Sequence, residues 1–233
     1  MPRRDWTLLL VLAAIWGSSY LFIKIGLREM SPLMVAFLRA LLGALVLVPL
    51  AWRAGALRTL GASSGLWPAL ALLALIQVAA PFALIAEGEQ HVSSALAGIL
   101  VASVPIFTAI LAFFYDAEDR SEGWRAVGVF VGIAGVGLLF GLDLNGSAEA
   151  LLGGLLIVLA SLGYALGGLL VKKRLGALDP VGVAAAVMVI STVMMLPVPF
   201  VAAPAELPGV GPIAAVAALG IFGTGVAFAI FFV

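Results

Sequence analysis

Eight apolar stretches, each long enough to cross a bilayer, fill nearly the whole chain and decide what it can fold into. They run at about 6–26, 33–52, 66–86, 95–115, 124–142, 151–171, 180–202 and 212–233, each near the roughly 20 residues that a spanning helix needs. Hydrophobic residues make up 64% of the 233 and charged residues 10%, with a mean hydropathy of +1.24. A soluble domain of this size could not hide so much apolar surface. Backbone groups in lipid must bond within their own segment, so the stretches read as helices, and they are twice as long as the strands of a membrane barrel. The sequence predicts an all-α membrane protein, a polytopic bundle of eight transmembrane helices. The run that follows Met1 to Asp5 is as long as a full span and carries no convincing cleavage site, so it reads as an uncleaved first helix.

Charge sets the expected orientation. Net charge is zero, which suggests no nucleic-acid partner, and the absence of cysteine excludes disulfides and thiolate metal sites. A single histidine, His91, argues against a histidine-built metal centre. No cofactor is expected. With the N-terminus in the cytoplasm, Arg3, Arg4, Arg53, Arg58, Arg120, Arg125, Lys172, Lys173 and Arg174 all fall on the cytoplasmic side, against Lys24 and Arg28 outside. This is the positive-inside pattern of a multi-pass inner-membrane protein. The predicted outer loops at 87–94, 143–149 and 203–211 hold no Lys or Arg.

The chain also echoes itself at a spacing of 148 residues: Lys24 meets Lys172, Pro32 meets Pro180, Pro49 meets Pro197, and Trp16 meets Tyr164. Ser31-Pro32 and Asp179-Pro180 would open helices in the same way. Five spans separate the copies, so the second is inverted relative to the first, a pattern of secondary transporters.

Several residues carry candidate chemistry. Trp16, Tyr20 and Lys24 share one face of the first helix, and Tyr164, Gly168 and Lys172 form the corresponding stripe. Either Trp16, Ser19, Tyr20 and Tyr164 line a substrate path, or the aromatics pack and the lysines anchor at the interface. Arg39 lies roughly 10 Å into the second helix at 1.5 Å per residue and needs a partner. Glu87 and Glu89 are the candidates for an ion pair, and recognition of an anionic substrate group is the other reading. Glu87, Glu89 and His91 are also candidates for proton coupling, or else belong to an ordinary solvated hairpin. Gln77 could bond a neighbour or a substrate, and Ser103 with Pro105 would mark a kink beside a cavity. Gly128-x-x-x-Gly132, Gly137-x-x-x-Gly141 and Gly163-x-x-x-Gly167 fit close helix packing. Gly61-Ala62-Ser63-Ser64-Gly65 matches a nucleophile pattern but lies in a loop between helices, so it reads as a linker.

Trp16-Gly17-Ser18-Ser19-Tyr20 with Lys24, Phe37-Leu38-Arg39, the stretch from Glu89 through Ser94 and Ala97 to Pro105-Ile106-Phe107-Thr108, and Trp124 with the glycine-rich fifth helix together resemble the EamA family of the drug/metabolite transporter superfamily. The resemblance covers the whole chain and is clearer in its first half. It implies ten helices in two inverted five-helix repeats. Here these would be 6–142 and an incomplete 151–233, with three of its five spans. It also implies export of small metabolites such as amino acids by alternating access, and no enzyme activity. A chain short of two helices could instead be a non-transporting subunit, or a fragment that needs a partner. In sealed vesicles of known orientation, protease is expected to cut the 53–65, 116–123 and 172–179 loops only from the cytoplasmic face; cleavage from the opposite face would reverse the assignment.

Overall fold

The structure, a computed structural model, describes residues 3–61, 64–115, 124–142 and 147–231. Ser63, Arg120 with the loop at 116–123, most of the 143–149 loop, and Phe232 with Val233 lie outside the described residues. The eight main helices are α1 (Arg3–Gly26), α2 (Pro32–Arg53), α3 (Trp67–His91), α4 (Ser94–Tyr115), α5 (Trp124–Leu142), α6 (Ala148–Leu175), α7 (Pro180–Val201) and α8 (Val210–Phe231). Seven of them are long and apolar enough to cross a membrane. In α5 the apolar stretch that meets the same test of composition is the shorter Val127–Leu138.

Local chemistry explains the boundaries. Ser31 accepts from the Met34 N–H at 3.3 Å, and Asp179 accepts from Val181 and Gly182 at 2.9 and 3.1 Å, with Pro32 and Pro180 at the first helical position. These two caps have the geometry that their shared Pro spacing predicts. The second echoed pair diverges. Pro49 stays inside α2, whereas α7 breaks at Met195–Pro197 before a last turn, Val198–Val201. The predicted loop at 87–94 is mostly helix: α3 runs on to His91, and only Val92 and Ser93 form the turn before α4. Ser93 caps α4 by accepting from Leu96 N–H, so the polar residues read as a loop are the last turn of one helix and the cap of the next.

Three spans contain a π-helical turn. In α3 the segment Leu75–Ala79 is π-helical, and Ala80 N–H bonds back to Leu75. Pro81 is the cause, because it lacks an N–H and its ring crowds the carbonyl four residues back, that of Gln77. In α8 a second π-helical turn spans Ile221–Val226, and in α6 a third spans Val171–Leu175. α4 is interrupted at Ala102–Ser103, where Pro105 cannot donate to Val101. The expected kink at Ser103 and Pro105 is therefore present.

α2 and α3 sit centrally. α2 packs on α7, α8 and α3; α3 packs on α6 and α7; α1 packs on α8; and α5 lies at the periphery against α4. The main core runs through Val35, Leu47, Leu73, Ile85, Met188 and Leu219. The α1–α2 and α7–α8 turns meet through Glu29, which accepts from Gly209 N–H at 2.5 Å, and Ser31, which donates to Ala202 at 3.1 Å.

Glycine packing holds where helices touch and fails where they do not. A Cβ at Gly163 would lie 2.5 Å from the Ile76 carbonyl, and one at Gly167 would lie 2.6 Å from Gln77 Oε1. The Gly163/Gly167 pair thus receives the widened turn of α3. Gly88 and Gly153 each approach the other's carbonyl along the same α3–α6 seam. By contrast, Gly128 and Gly137 have nothing within 4 Å. Of these two motifs Gly132 does pack, since a Cβ there would lie 2.8 Å from Ile106 of α4; at Gly128 and Gly137 no packing is seen among the described residues, because α5 touches little beyond α4. Gly163→Leu is expected to lower the melting temperature in detergent, at a cost of about 1–3 kcal/mol, while Gly137→Leu stays within about 0.5 kcal/mol of the parent.

Candidate functional site

A cavity of about 340 Å³ opens where α1, α2, α3, α4, α6 and α8 converge. Trp16, Ser19 and Tyr20 face it from α1, Arg39 from α2, Gln77 and Phe82 from α3, and Tyr164 from α6. Val101 and Val104, on either side of the break in α4, and Phe228 and Phe231 of α8 complete the wall. The structure therefore brings together six of the predicted binding residues, Trp16, Ser19, Tyr20, Arg39, Gln77 and Tyr164, from four helices.

Arg39 is the charge of this site. It is 8% exposed, and a guanidinium cannot shed its proton to escape an apolar setting. Its partners are neutral. Arg39 Nε donates to Thr224 Oγ1 at 3.0 Å, and its guanidinium carbon sits 3.8 Å from the centroid of the Phe82 ring. Thr224 is aligned by the π-helical turn of α8, where its hydroxyl donates to the Leu219 carbonyl at 3.3 Å and leaves a lone pair for Arg39. The predicted ion pair with Glu87 or Glu89 is not formed: among the described residues no carboxylate lies within ion-pair distance of Arg39. Phe82 stands two helical turns before Glu89 on α3 and occupies the place opposite Arg39, so the carboxylates lie too far along the helix.

The rest of the wall is largely aromatic. Trp16 and Phe231 meet with ring centroids 5.7 Å apart. The Tyr20 ring lies over Gly98 of α4, where a Cβ would come within 3.3 Å of it. Ser19 turns its hydroxyl back to Ile15, a common habit of serine in membrane helices. Gln77 Oε1 is buried against Gly167 without a hydrogen-bond partner among the described residues, and together with Phe228 it separates the cavity from a smaller one of about 110 Å³ beside α7.

Other predicted residues fall elsewhere. Lys24 is outside the cavity and donates to the carbonyls of Glu89 and Val92, the latter at 3.0 Å, at the end of α3. Ser103 is buried at the break in α4, its hydroxyl without a hydrogen-bond partner among the described residues. Glu87 is exposed, 4.0 Å from His91 and bonded by Gln90, whereas Glu89 is fully buried. Gly168 and Lys172 diverge from Tyr164: they line an open groove of about 510 Å³ between α4 and α6, with Pro105 and Thr108. Thr224, Phe82, Phe228 and Phe231 were not singled out from the sequence. The one available signal was a lone hydroxyl between glycines in the last span, Gly223-Thr224-Gly225.

The sequence profile of the EamA-like transporter family matches residues 6–141 and 151–233. The chain belongs to that family. It is a family of transporters rather than enzymes, and the chain is a multi-pass membrane protein. It is similar to the "Uncharacterized inner membrane transporter YedA" of Escherichia coli (strain K12), with 36% identity over 68% of this chain and 50% of that protein. It is also similar to the "Probable amino-acid metabolite efflux pump" of the same organism, with 31% identity over 74% of this chain and 55% of the pump. The chain spans about half the length of these curated relatives. A solved structure described only as "Crystal structure of protein" shares the fold, with a TM-score of 0.70 at 18% identity over 97% of this chain and 76% of that one.

Thr224→Val keeps the shape of the side chain and removes the acceptor of Arg39. It is expected to destabilise the protein in detergent by about 1.5–3 kcal/mol, the worth of a hydrogen bond to a charged group. A melting temperature unchanged from the parent would show that Arg39 does not depend on Thr224.

Proposed function

We propose that this protein carries small metabolites across the inner membrane by alternating access, with its N-terminus in the cytoplasm, and that it exports amino acids or related compounds. One observation carries the reading: a metabolite-sized cavity inside a spanning bundle holds a buried guanidinium whose partners are neutral. A solute carboxylate is the natural charged partner for Arg39, because its two oxygens match the guanidinium fork and it adds an ionic attraction that a neutral hydroxyl lacks. Trp16, Tyr20, Tyr164 and Phe231 would clasp the apolar body, and Ser19 and Gln77 would supply polar contacts. The likeness to a protein named as an amino-acid metabolite efflux pump supports the substrate class and the outward direction.

The proposal includes two inverted repeats, 6–142 and 151–233. The matched helix caps support it, as do the corresponding contacts of α1 with α8 and of α6 with α3. Lys24 and Ser103 would act from behind the wall, at the end of α3 and the break in α4. Proton coupling through Glu87, Glu89 or His91 belongs to the same proposal.

A second reading is favoured by the exposure of α1, in which 17% of the most apolar stretch is buried against 50% for α2. This leaves Trp16 and Phe231 open at one edge of the cavity. A partner helix would cover that edge, in which case the chain would purify only with the partner.

Proteoliposomes loaded with a mixed pool of amino acids and related metabolites are expected to show saturable, selective exchange. Arg39→Gln should reduce exchange of carboxylates at least tenfold while inserting normally. Undiminished exchange by the Arg39 variant would refute the assigned role, and no exchange by well-inserted parent protein would refute transport by this chain alone.

A further inference from the structure

The junction of α1, α3 and α4 holds a carboxyl that the cavity does not use. Glu89 is 0% exposed, inside a spanning helix. Its Oε2 accepts from Ser94 at 3.3 Å, while Oε1 is buried and has no hydrogen-bond partner among the described residues. An ionised carboxylate offers about four acceptor sites and is costly to bury half-satisfied, whereas a protonated one has fewer lone pairs to satisfy. The nearby cation, Lys24, does not bond this carboxyl. It reaches past it to the carbonyls of Glu89 and Val92, the unsatisfied end of α3. Glu87 and His91, two residues to either side, are engaged with each other at the surface.

We propose that Glu89 is a proton-binding site, and that Lys24 turns its change of charge into a movement of α1 against the α3–α4 hairpin. With the proton on Glu89, the carboxyl is neutral and Lys24 is free to tie α1 to the end of α3. When the proton leaves for the aqueous phase beyond the α3–α4 turn, the new carboxylate competes with two neutral carbonyls for the same ammonium. A charged acceptor adds a direct ionic attraction that a neutral carbonyl lacks. Lys24 then shifts from the main chain of α3 to the side chain, and the clamp on the α3 end is released. Tyr20 is one turn from Lys24 on α1 and lies over Gly98 of α4, so this movement displaces a wall of the cavity.

The charged and titratable groups that act on Glu89 are Lys24 and Tyr20 from α1 and Arg39 from α2. Glu87 and His91 accompany it on its own helix. Of the other elements, α4 contributes Ser94, and α6 packs with Gly153 against Gly88. Ionisation of Glu89 thus leaves one carboxylate among two cations, and Lys24 is the one already within reach of its backbone. The inference rests on the transport reading for its purpose, since it supplies the proton half of a coupled carrier, but its test does not depend on transport.

The chain has no cysteine, so spin labels can be placed only where thiols are introduced. Leu21→Cys on α1 and Ile99→Cys on α4 are exposed positions on the two sides of the joint. In lipid nanodiscs, the distance distribution between these labels is expected to change with pH in the parent and to be fixed across the same range in Glu89→Gln and in Lys24→Met. Infrared difference spectra over the same titration should show a protonated-carboxyl band that is lost in Glu89→Gln and kept in Glu87→Gln. A band that survives Glu89→Gln, or no such band in the parent, would overturn the proton site. A pH-dependent distance that persists in both single variants would overturn the switch. Absence of solute exchange alongside a normal Glu89 titration would count against the transport reading and leave the proton site standing.

Discussion

A guanidinium held inside a membrane-spanning bundle by a threonine and a phenylalanine is the constraint around which the rest of this structure is arranged. Burying a charge in lipid is costly unless it meets other polar groups or water. Arg39 meets one hydroxyl and one ring face. This economical environment fixes the path of α8, whose Thr224 must reach across to α2, and the rotation of α3, whose Phe82 must lie flat beneath the charge. Among the described residues no carboxylate lies within ion-pair distance of Arg39.

Two polar groups of the site, Gln77 on the wall and the Thr224 hydroxyl behind Arg39, come from places where the helices are not regular. Gln77 lies in the π-helical turn that Pro81 imposes on α3, and Thr224 in the π-helical turn of α8. α4 meets the cavity at its break between Val101 and Val104. A regular apolar helix satisfies all its backbone groups and offers a solute little. A widened turn frees a carbonyl and turns a side chain inward, and such turns recur at functional sites for this reason. Glycine makes room for them: Gly163 and Gly167 of α6 take up the bulge in α3, and Gly223 of α8 passes against the hydroxyl of Ser19. Backbone irregularity, small residues and the buried charge form one arrangement.

Much of this was legible in the sequence. Apolar runs of spanning length mark the helices because lipid leaves the backbone no alternative. The i, i+4 spacing of Trp16 and Tyr20, and the match of Trp16 to Tyr164, pointed to residues that the structure places around one cavity. Three features were not legible. The boundary at Glu87–Ser94 was misread because charge usually marks a loop, whereas Glu89 is a buried polar group on a helix that continues to His91. The partner of Arg39 was sought among carboxylates because opposite charge is the usual remedy, and a threonine 185 residues away carries no such signal. Of the α5 glycines with the spacing of a packing seam, Gly132 meets Ile106 of α4, but spacing cannot say where a neighbouring helix lies, and among the described residues Gly128 and Gly137 have nothing within 4 Å.

The central claim is that solute passes through the cavity beside Arg39, and the absence of native cysteine allows a direct measurement of it. Val101→Cys places one thiol on the wall where α4 breaks. Its rate of modification by a water-soluble thiol reagent, and the exchange activity of the modified protein, can be followed in the same proteoliposomes. The account predicts that the solute which exchanges also slows the labelling, and that the fully labelled protein no longer exchanges it. Full exchange through a completely labelled protein would contradict the account and place the solute path elsewhere in the bundle.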